Sequence, residues 1–280
     1  MNRKHGKPQG GFTLIELAIV LVIVTILIGG LAVPLSAQIE ARRIAETRKT
    51  MEEAREAIIG YAMKHTLQQL CTCAYQPDTT PDPASTCPVS HCPPTGSATL
   101  NLSLTRHYLP CPDVITDDGL EDRVTSGPTQ GACASPYGRF PWVSLGTAAE
   151  DAWGNRLHYG ITPDYGNDGI GFSNASTGDK RICSTSAGGC TSGTVAKDLP
   201  VVLVSYGPNG WGALNVSGSS LHVPTSADER ENAPASYPNN AYVSRAPSKA
   251  DAANGEFDDL LVWISSPLLI SRVCPSGGCP

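Results

Sequence analysis

The chain has 280 residues, a formal net charge of -6 and 16% charged residues, so it offers no basic excess for a polyanion and no nucleic-acid partner is expected. Ten cysteines, 28 glycines and 23 prolines beside 6% aromatics argue against a reduced cytosolic protein and for an exported chain stapled by disulfides. The length suffices for one sizeable domain, or for a domain with large insertions.

The N-terminus opens with Arg3, Lys4, His5 and Lys7, a basic stretch that the positive-inside rule keeps cytoplasmic. From Phe12 to Val33 there are 22 residues whose only charge is Glu16. That is long enough for a helix to cross a hydrocarbon core of roughly 30 Å, which makes membrane lipid the first partner. An ionised carboxylate costs on the order of 3 kcal/mol at membrane depth, so Glu16 is expected to face a cationic partner rather than lipid. A secretory signal has its small residues after the apolar run, whereas here Gly10 and Gly11 precede it.

The string Gly11-Phe12-Thr13-Leu14-Ile15-Glu16-Leu17 after a short basic leader resembles the type III signal of type IV pilins and type II secretion pseudopilins. The resemblance implies cleavage by prepilin peptidase between Gly11 and Phe12, and methylation of the new amino terminus at Phe12. The cut frees an ammonium one helical turn from Glu16, and methylation keeps its charge. In a low-dielectric fibre, a staggered neighbour's ammonium and the Glu16 carboxylate would attract and fix the register.

Beyond Pro34 the helical period continues in amphipathic form. Ile44, Met51, Ile58 and His65 share one heptad position and Thr47, Ala54 and Tyr61 another, opposite a face rich in Arg, Lys and Glu. The stripe is short and its seats are partly small or polar, which favours packing on a sheet of the same chain over a coiled coil. From Cys71 onward the composition turns to Cys, Pro, Ser, Thr and Gly. The expected organisation is a leader at 1–11, a transmembrane and assembly helix at 12–37, an amphipathic helix at 38–70 and a periplasmic or extracellular head at 71–280.

Three segments in the head read as core strands: Arg156 to Ile161, Pro200 to Tyr206 and Asp259 to Ser265. Between them, Asp164 to Asp198 and Gly207 to Gly255 read as surface excursions on one small antiparallel sheet. Sequence proximity suggests the disulfides Cys111–Cys133, Cys183–Cys190 and Cys274–Cys279, with Cys71, Cys73, Cys87 and Cys92 pairing among themselves; a zinc site of those four with His91 is the less favoured reading. The acids Asp113, Asp117, Asp118, Glu121 and Asp122 around Gly119 lack EF-hand spacing and read as a solvated turn. The fold class expected is α+β and pilin-like: a long N-terminal helix on a small antiparallel sheet, with long disulfide-stapled loops.

The head also resembles the major pseudopilins over shorter stretches. Glu150 to Tyr159 is similar to their D-P-W-G-N-P-Y-x-Y element with Ala152 in place of proline, Ser205 to Gly210 to their S-L-G-A-D-G turn, and Asp259 to Trp263 to their D-I-x-x-W. No cofactor is required, but in that group the last two elements frame a calcium site. By position the resemblance implies Asn209 and Asp259 as ligands with Glu256 and Asp258 nearby, although Asn209 stands where the group has Asp. Asp258 and Asp259 serve equally as the polar edge of a strand, so calcium and a strand edge stand as alternatives here.

No G-x-S-x-G, H-E-x-x-H or phosphate-binding glycine loop is present, and the six histidines are scattered, so no enzyme is expected. The reading is a structural subunit, minor because its head is large, of a type IV pilus or type II secretion pseudopilus. Its partners would be other subunits, the peptidase and an inner-membrane assembly platform. It would sit in the inner membrane by a single span with a periplasmic head, then move into the filament. The alternative is a membrane-tethered exported binding protein or enzyme that uses the same kind of signal.

Overall fold

In the computed structural model the described residues are 11, 13–71, 102–190, 193–233, 240–274 and 279, with side chains described for these except at 29–34, 67–71 and 102–105. Cys73, Cys87, Cys92 and His91 lie outside them, as do Phe12 and the side chain of Cys71. In chain order the elements are α1 (Leu14–Lys64), β1 (Thr66–Cys71), β2 (Leu102–His107), β3 (Tyr137–Arg139), α2 (Trp142–Leu145), β4 (His158–Ile161), α3 (Pro163–Gly166), β5 (Lys180–Cys183), β6 (Thr194–Leu199), β7 (Val201–Ser205), α4 (Ala227–Asn232), β8 (Ala241–Val243), β9 (Leu260–Ile264) and α5 (Ser266–Val273). The class is α+β. Internal contacts divide the chain into two units, residues 1–45 and 46–280.

The first unit carries the start of α1. Its described side chains from Thr13 to Ile28 are all exposed, with Leu14 at 87%. Among the described residues no helix is long and apolar enough to cross a membrane. The run of 22 residues read from the sequence includes Phe12 and residues 29–33, whose side chains are not among those described. Thr25, the one hydroxyl inside the run after Thr13, donates to the carbonyls of Leu21 and Val22 at 2.9 Å, so its polarity is spent on its own helix.

The second unit begins with the amphipathic part of α1. Thr47, Met51, Ala54, Ile58 and Tyr61 are buried there, joined by Ile59 and Ala62. Helix ends at Lys64, and Thr66–Cys71 pair antiparallel with Leu102–His107 instead of extending it to residue 70. The three segments expected as strands become neighbours in one antiparallel sheet of order β3-β4-β7-β9. Met51, Ala54 and Ile58 share a core with Leu157, Tyr159, Ile161, Val201, Leu203 and Ile264, so the stripe of α1 meets a sheet of its own chain.

The opposite face of that sheet is also covered, which corrects the expectation of a single sheet. Residues 164–198 and 207–255 contribute β5, β6 and β8, a second sheet of order β6-β5-β8 in which β5 and β8 run parallel. Ile182, Leu199 and Tyr242 pack with Val202, Val204 and Tyr206 in a second core. All five residues of β7 are buried, the pattern of a strand covered on both faces. These extra strands are three to six residues long, too short to show a period.

Among the described residues three disulfides close local loops: Cys111–Cys133, Cys183–Cys190 and Cys274–Cys279, with Cα separations of 5.1, 5.7 and 5.4 Å. The acidic turn at 113–122 is consumed internally. Asp113 accepts from the backbone of Gly119 and pairs with Arg139 at 3.0 Å, Asp122 accepts from Val114 and Ile115, and Glu121 accepts from Tyr61, Cys111 and Arg123.

Candidate functional site

Two places in the molecule gather the residues singled out by sequence. The first is the start of α1. Thr13 precedes the first helical residue, and its N–H and hydroxyl both donate to Oε2 of Glu16 at 2.8 Å, while the Glu16 N–H reaches back to the Thr13 hydroxyl at 3.4 Å. This reciprocal pair is a capping box, with Thr13 at the cap and Glu16 three residues on. It satisfies helix donors that would otherwise face an apolar medium unpaired. The carboxylate is therefore exposed but held in one orientation by its own helix. The sequence reading assigned Glu16 a role between subunits and missed its role as a cap, although Thr-x-x-Glu before an apolar run is the signal for it.

The second place is the end of the β-sheet where β7 leaves and β9 enters. After β7 the chain turns through Gly207 and Gly210, both with positive φ, and a Cβ on Gly207 would lie 2.3 Å from the carbonyl of Asp258. That glycine lets the two segments touch. Ser226 caps the short α4, its hydroxyl accepting from the Glu229 N–H. Glu229, Asp258 and Asp259 thereby each bring a carboxylate oxygen to within 4.8 Å of the others.

Of the sequence candidates, Asp258 and Asp259 enter this group, and Glu229 joins them from 30 residues upstream in the chain, a neighbour no local spacing could reveal. Asn209 borders it as a donor: its N–H reaches Asp258 at 3.1 Å and its side-chain amide reaches Glu229 at 3.2 Å, while its carbonyl oxygen accepts from Trp211. Glu256 lies outside the group.

The cluster is electrostatically tense. Glu229 and Asp259 are 1% and 5% exposed, and Oε2 of Glu229 and Oδ1 of Asp259 have no hydrogen-bond partner among the described residues. Burial pushes the Asp259 carboxyl well above its usual range; the hydrogen bond from Asn232 opposes this, and the charges of Glu229 and Asp258 add to it. Burial also raises Glu229, against hydrogen bonds from Asn209 and the Asp258 backbone. Buried carboxylate oxygens without donors need a proton or a cation, and an all-oxygen set suits a hard one such as calcium. The residues present fit that ion.

The rest of the head contributes a scaffold. Asp151, in the Glu150–Tyr159 element, accepts from the N–H groups of Trp153 and Asn155 and from the hydroxyl of Ser205, locking that turn onto β7. Thr47 of α1 accepts from the N–H of Ala152 beside it.

Residues 6–32 match the prokaryotic N-terminal methylation motif. That motif is the signature of type IV pilins and pseudopilins; over residues 6–32 it supports a pilin- or pseudopilin-type substrate of prepilin peptidase and implies assembly with other pilin subunits. It also points to membrane insertion and filament assembly. No curated protein and no solved structure matches the chain.

Proposed function

We propose that the chain is a structural subunit, and a minor one, of a type IV pilus or type II secretion pseudopilus, with no catalysis on an external substrate. It is cut between Gly11 and Phe12, methylated on Phe12, held in the inner membrane by its apolar helix and drawn into the fibre by an assembly platform. The observation that carries this reading is the methylation motif with Glu16 pinned at the helix start. A carboxylate already oriented by Thr13 gives the ammonium of a neighbouring subunit a fixed acceptor, and in an apolar setting a misaligned neighbour leaves the charge uncompensated. A helix whose later part lies on a four-stranded antiparallel sheet supports a pilin-like architecture. The second sheet and the loops around it make a head that is awkward to repeat in a tightly packed shaft, which favours a minor position.

Calcium belongs to the same reading as a structural ion. Glu229, Asp258 and Asp259 would hold it and Asn209 would orient them, fastening α4 and the turn after β7 to the start of β9. When bound, the ion supplies positive charge to carboxylates that otherwise repel one another.

The decisive experiment is mass spectrometry of the mature protein together with Glu16→Ala. We expect a chain that begins at N-methylated Phe12, and loss of at least tenfold in filament incorporation for the variant with an unchanged melting temperature for the head. A native chain that keeps its first eleven residues, or a variant that assembles normally, sinks the proposal.

A further inference from the structure

Lys180 is 1% exposed, an unusual place for an ammonium. It opens β5, and its stem runs past Gly160 and Tyr242: a Cβ on Gly160 would lie 2.2 Å from the Tyr242 hydroxyl and 3.7 Å from Lys180 Cε. At the end of the stem, Nζ lies 2.7 Å from Oδ1 of Asn240 and 2.9 Å from Oδ1 of Asp179. The other carboxylate oxygen, Oδ2 of Asp179, accepts from Nδ2 of Asn240 at 3.0 Å. Amine, carboxamide and carboxylate therefore form a closed triangle in which each group touches the other two.

The backbone builds this triangle. Strands β5 and β8 run parallel with Arg181 opposite Ala241, and the Arg181 N–H donates to the Asn240 carbonyl at 3.0 Å, so residues 180 and 240 are register neighbours. Asn240 has φ +52, a conformation Asn tolerates better than most residues, which turns its side chain back across β5. If stability alone were at stake, an apolar residue would fill the place of Lys180 without the cost of burying a charge.

We propose that Lys180 Nζ and Asn240 Cγ condense into an intramolecular isopeptide bond, with Asp179 carrying the proton. The amine reacts in its neutral form, and burial helps by lowering its proton affinity against the opposing pull of Asp179. Its lone pair adds to Cγ of Asn240, Asp179 takes a proton from Nζ and returns it to Nδ2, and the Cγ–Nδ2 bond breaks. One amide forms and one ammonia leaves, with no change of oxidation state and no added reagent. The three groups line a cleft of ≈ 610 Å³ that gives the ammonia a way out. Held proximity supplies the rate, as it does for any two reactants fixed in contact. The bond would close a 60-residue loop across the three-stranded sheet, a staple that reductants cannot open in a head otherwise closed by disulfides.

The test is the mass of the full mature chain, extracted in detergent, reduced, alkylated and digested with trypsin. We expect a mass lower by one ammonia than the sequence requires, no cleavage after Lys180, and a branched peptide joining Leu157–Arg181 to Glu231–Arg245. Asp179→Ala and Asn240→Ala should each lose the branched peptide, the former regaining the full mass. A wild-type chain of full mass that yields separate Lys180 and Asn240 peptides overturns the proposal and leaves a non-covalent triad only. That measurement needs no variant, so it decides even if a variant fails to fold. A branched peptide persisting in Asp179→Ala overturns the role given to the carboxylate.

Discussion

The two ends of α1 are built from similar apolar residues and treat them in opposite ways. Leu14 and Ile26 are 87% and 68% exposed, whereas Met51 and Ile58 are fully buried. In the first unit the apolar residues run all round the helix, the composition of a segment whose surroundings are lipid or other subunits. In the second they form one stripe, because a single sheet covers a single face. An apolar pattern thus reports how much of a helix is to be covered, and its width reports whether the cover is one partner or many.

That contrast is broken or sharpened most by removing one methyl-rich side chain from each end. Ile58→Ala empties a place in the core between α1 and the sheet and should cost about 3 kcal/mol of head stability. Leu21→Ala should leave the head's urea midpoint unchanged and weaken only filament incorporation. Equal loss of head stability from both variants would show that the first unit is folded by the head rather than by its assembly partners.

The next largest effect concerns the acidic cluster, where buried carboxylate oxygens of Glu229 and Asp259 have no hydrogen-bond partner among the described residues. Calcium at about a hundred times its dissociation constant should add roughly 2.7 kcal/mol to unfolding, a rise in melting temperature that a chelator reverses. Glu229→Gln should abolish most of that rise while changing the calcium-free midpoint little. An identical melting curve with calcium and with chelator would leave the cluster as the polar edge of a strand.

How much of this was legible in the sequence follows from the same physics. The apolar runs of β7 and β9 were readable because a strand buried on one or both faces needs several consecutive or alternating apolar residues. The helix stripe was readable because its period repeats. Cysteines a few residues apart, such as Cys183 and Cys190, have few other places to go. Strands β5, β6 and β8 were hidden because Lys180-Arg181-Ile182-Cys183 shows no period, and its burial comes from residues 241–243 and 194–199 far along the chain. Glu229 escaped for the same reason: its neighbours Asp258 and Asp259 come from another segment, and the glycine that lets the β7 turn approach them, Gly207, reads only as a turn.

His158 tests the second face of the sheet. It is buried at 3.3 Å from the Tyr242 hydroxyl, and burial above all lowers its pKa from 6.5 to about 3. Between those values the unfolded chain holds a proton that the folded chain refuses, so stability is full above about pH 6.5 and falls as the pH drops toward 3. The contribution approaches 1.4 kcal/mol per pH unit within that window. Comparing unfolding at several pH values, His158→Phe should flatten the slope by about one proton, and an unchanged slope would mean that the histidine is hydrated.

The smallest effect returns to the start of the helix and separates the two duties of Glu16. Thr13→Ala removes the hydroxyl that holds the carboxylate but leaves the backbone donor and the charge in place. Losing a cap costs about 1 kcal/mol, which is roughly a fivefold change in an equilibrium, so filament incorporation should fall about that much, well short of the loss expected for Glu16→Ala. Thr13→Ser, which keeps the hydroxyl, should restore it. If Thr13→Ala is as damaging as Glu16→Ala, the carboxylate acts chiefly by starting its own helix, and the attraction between subunits is the lesser part of assembly.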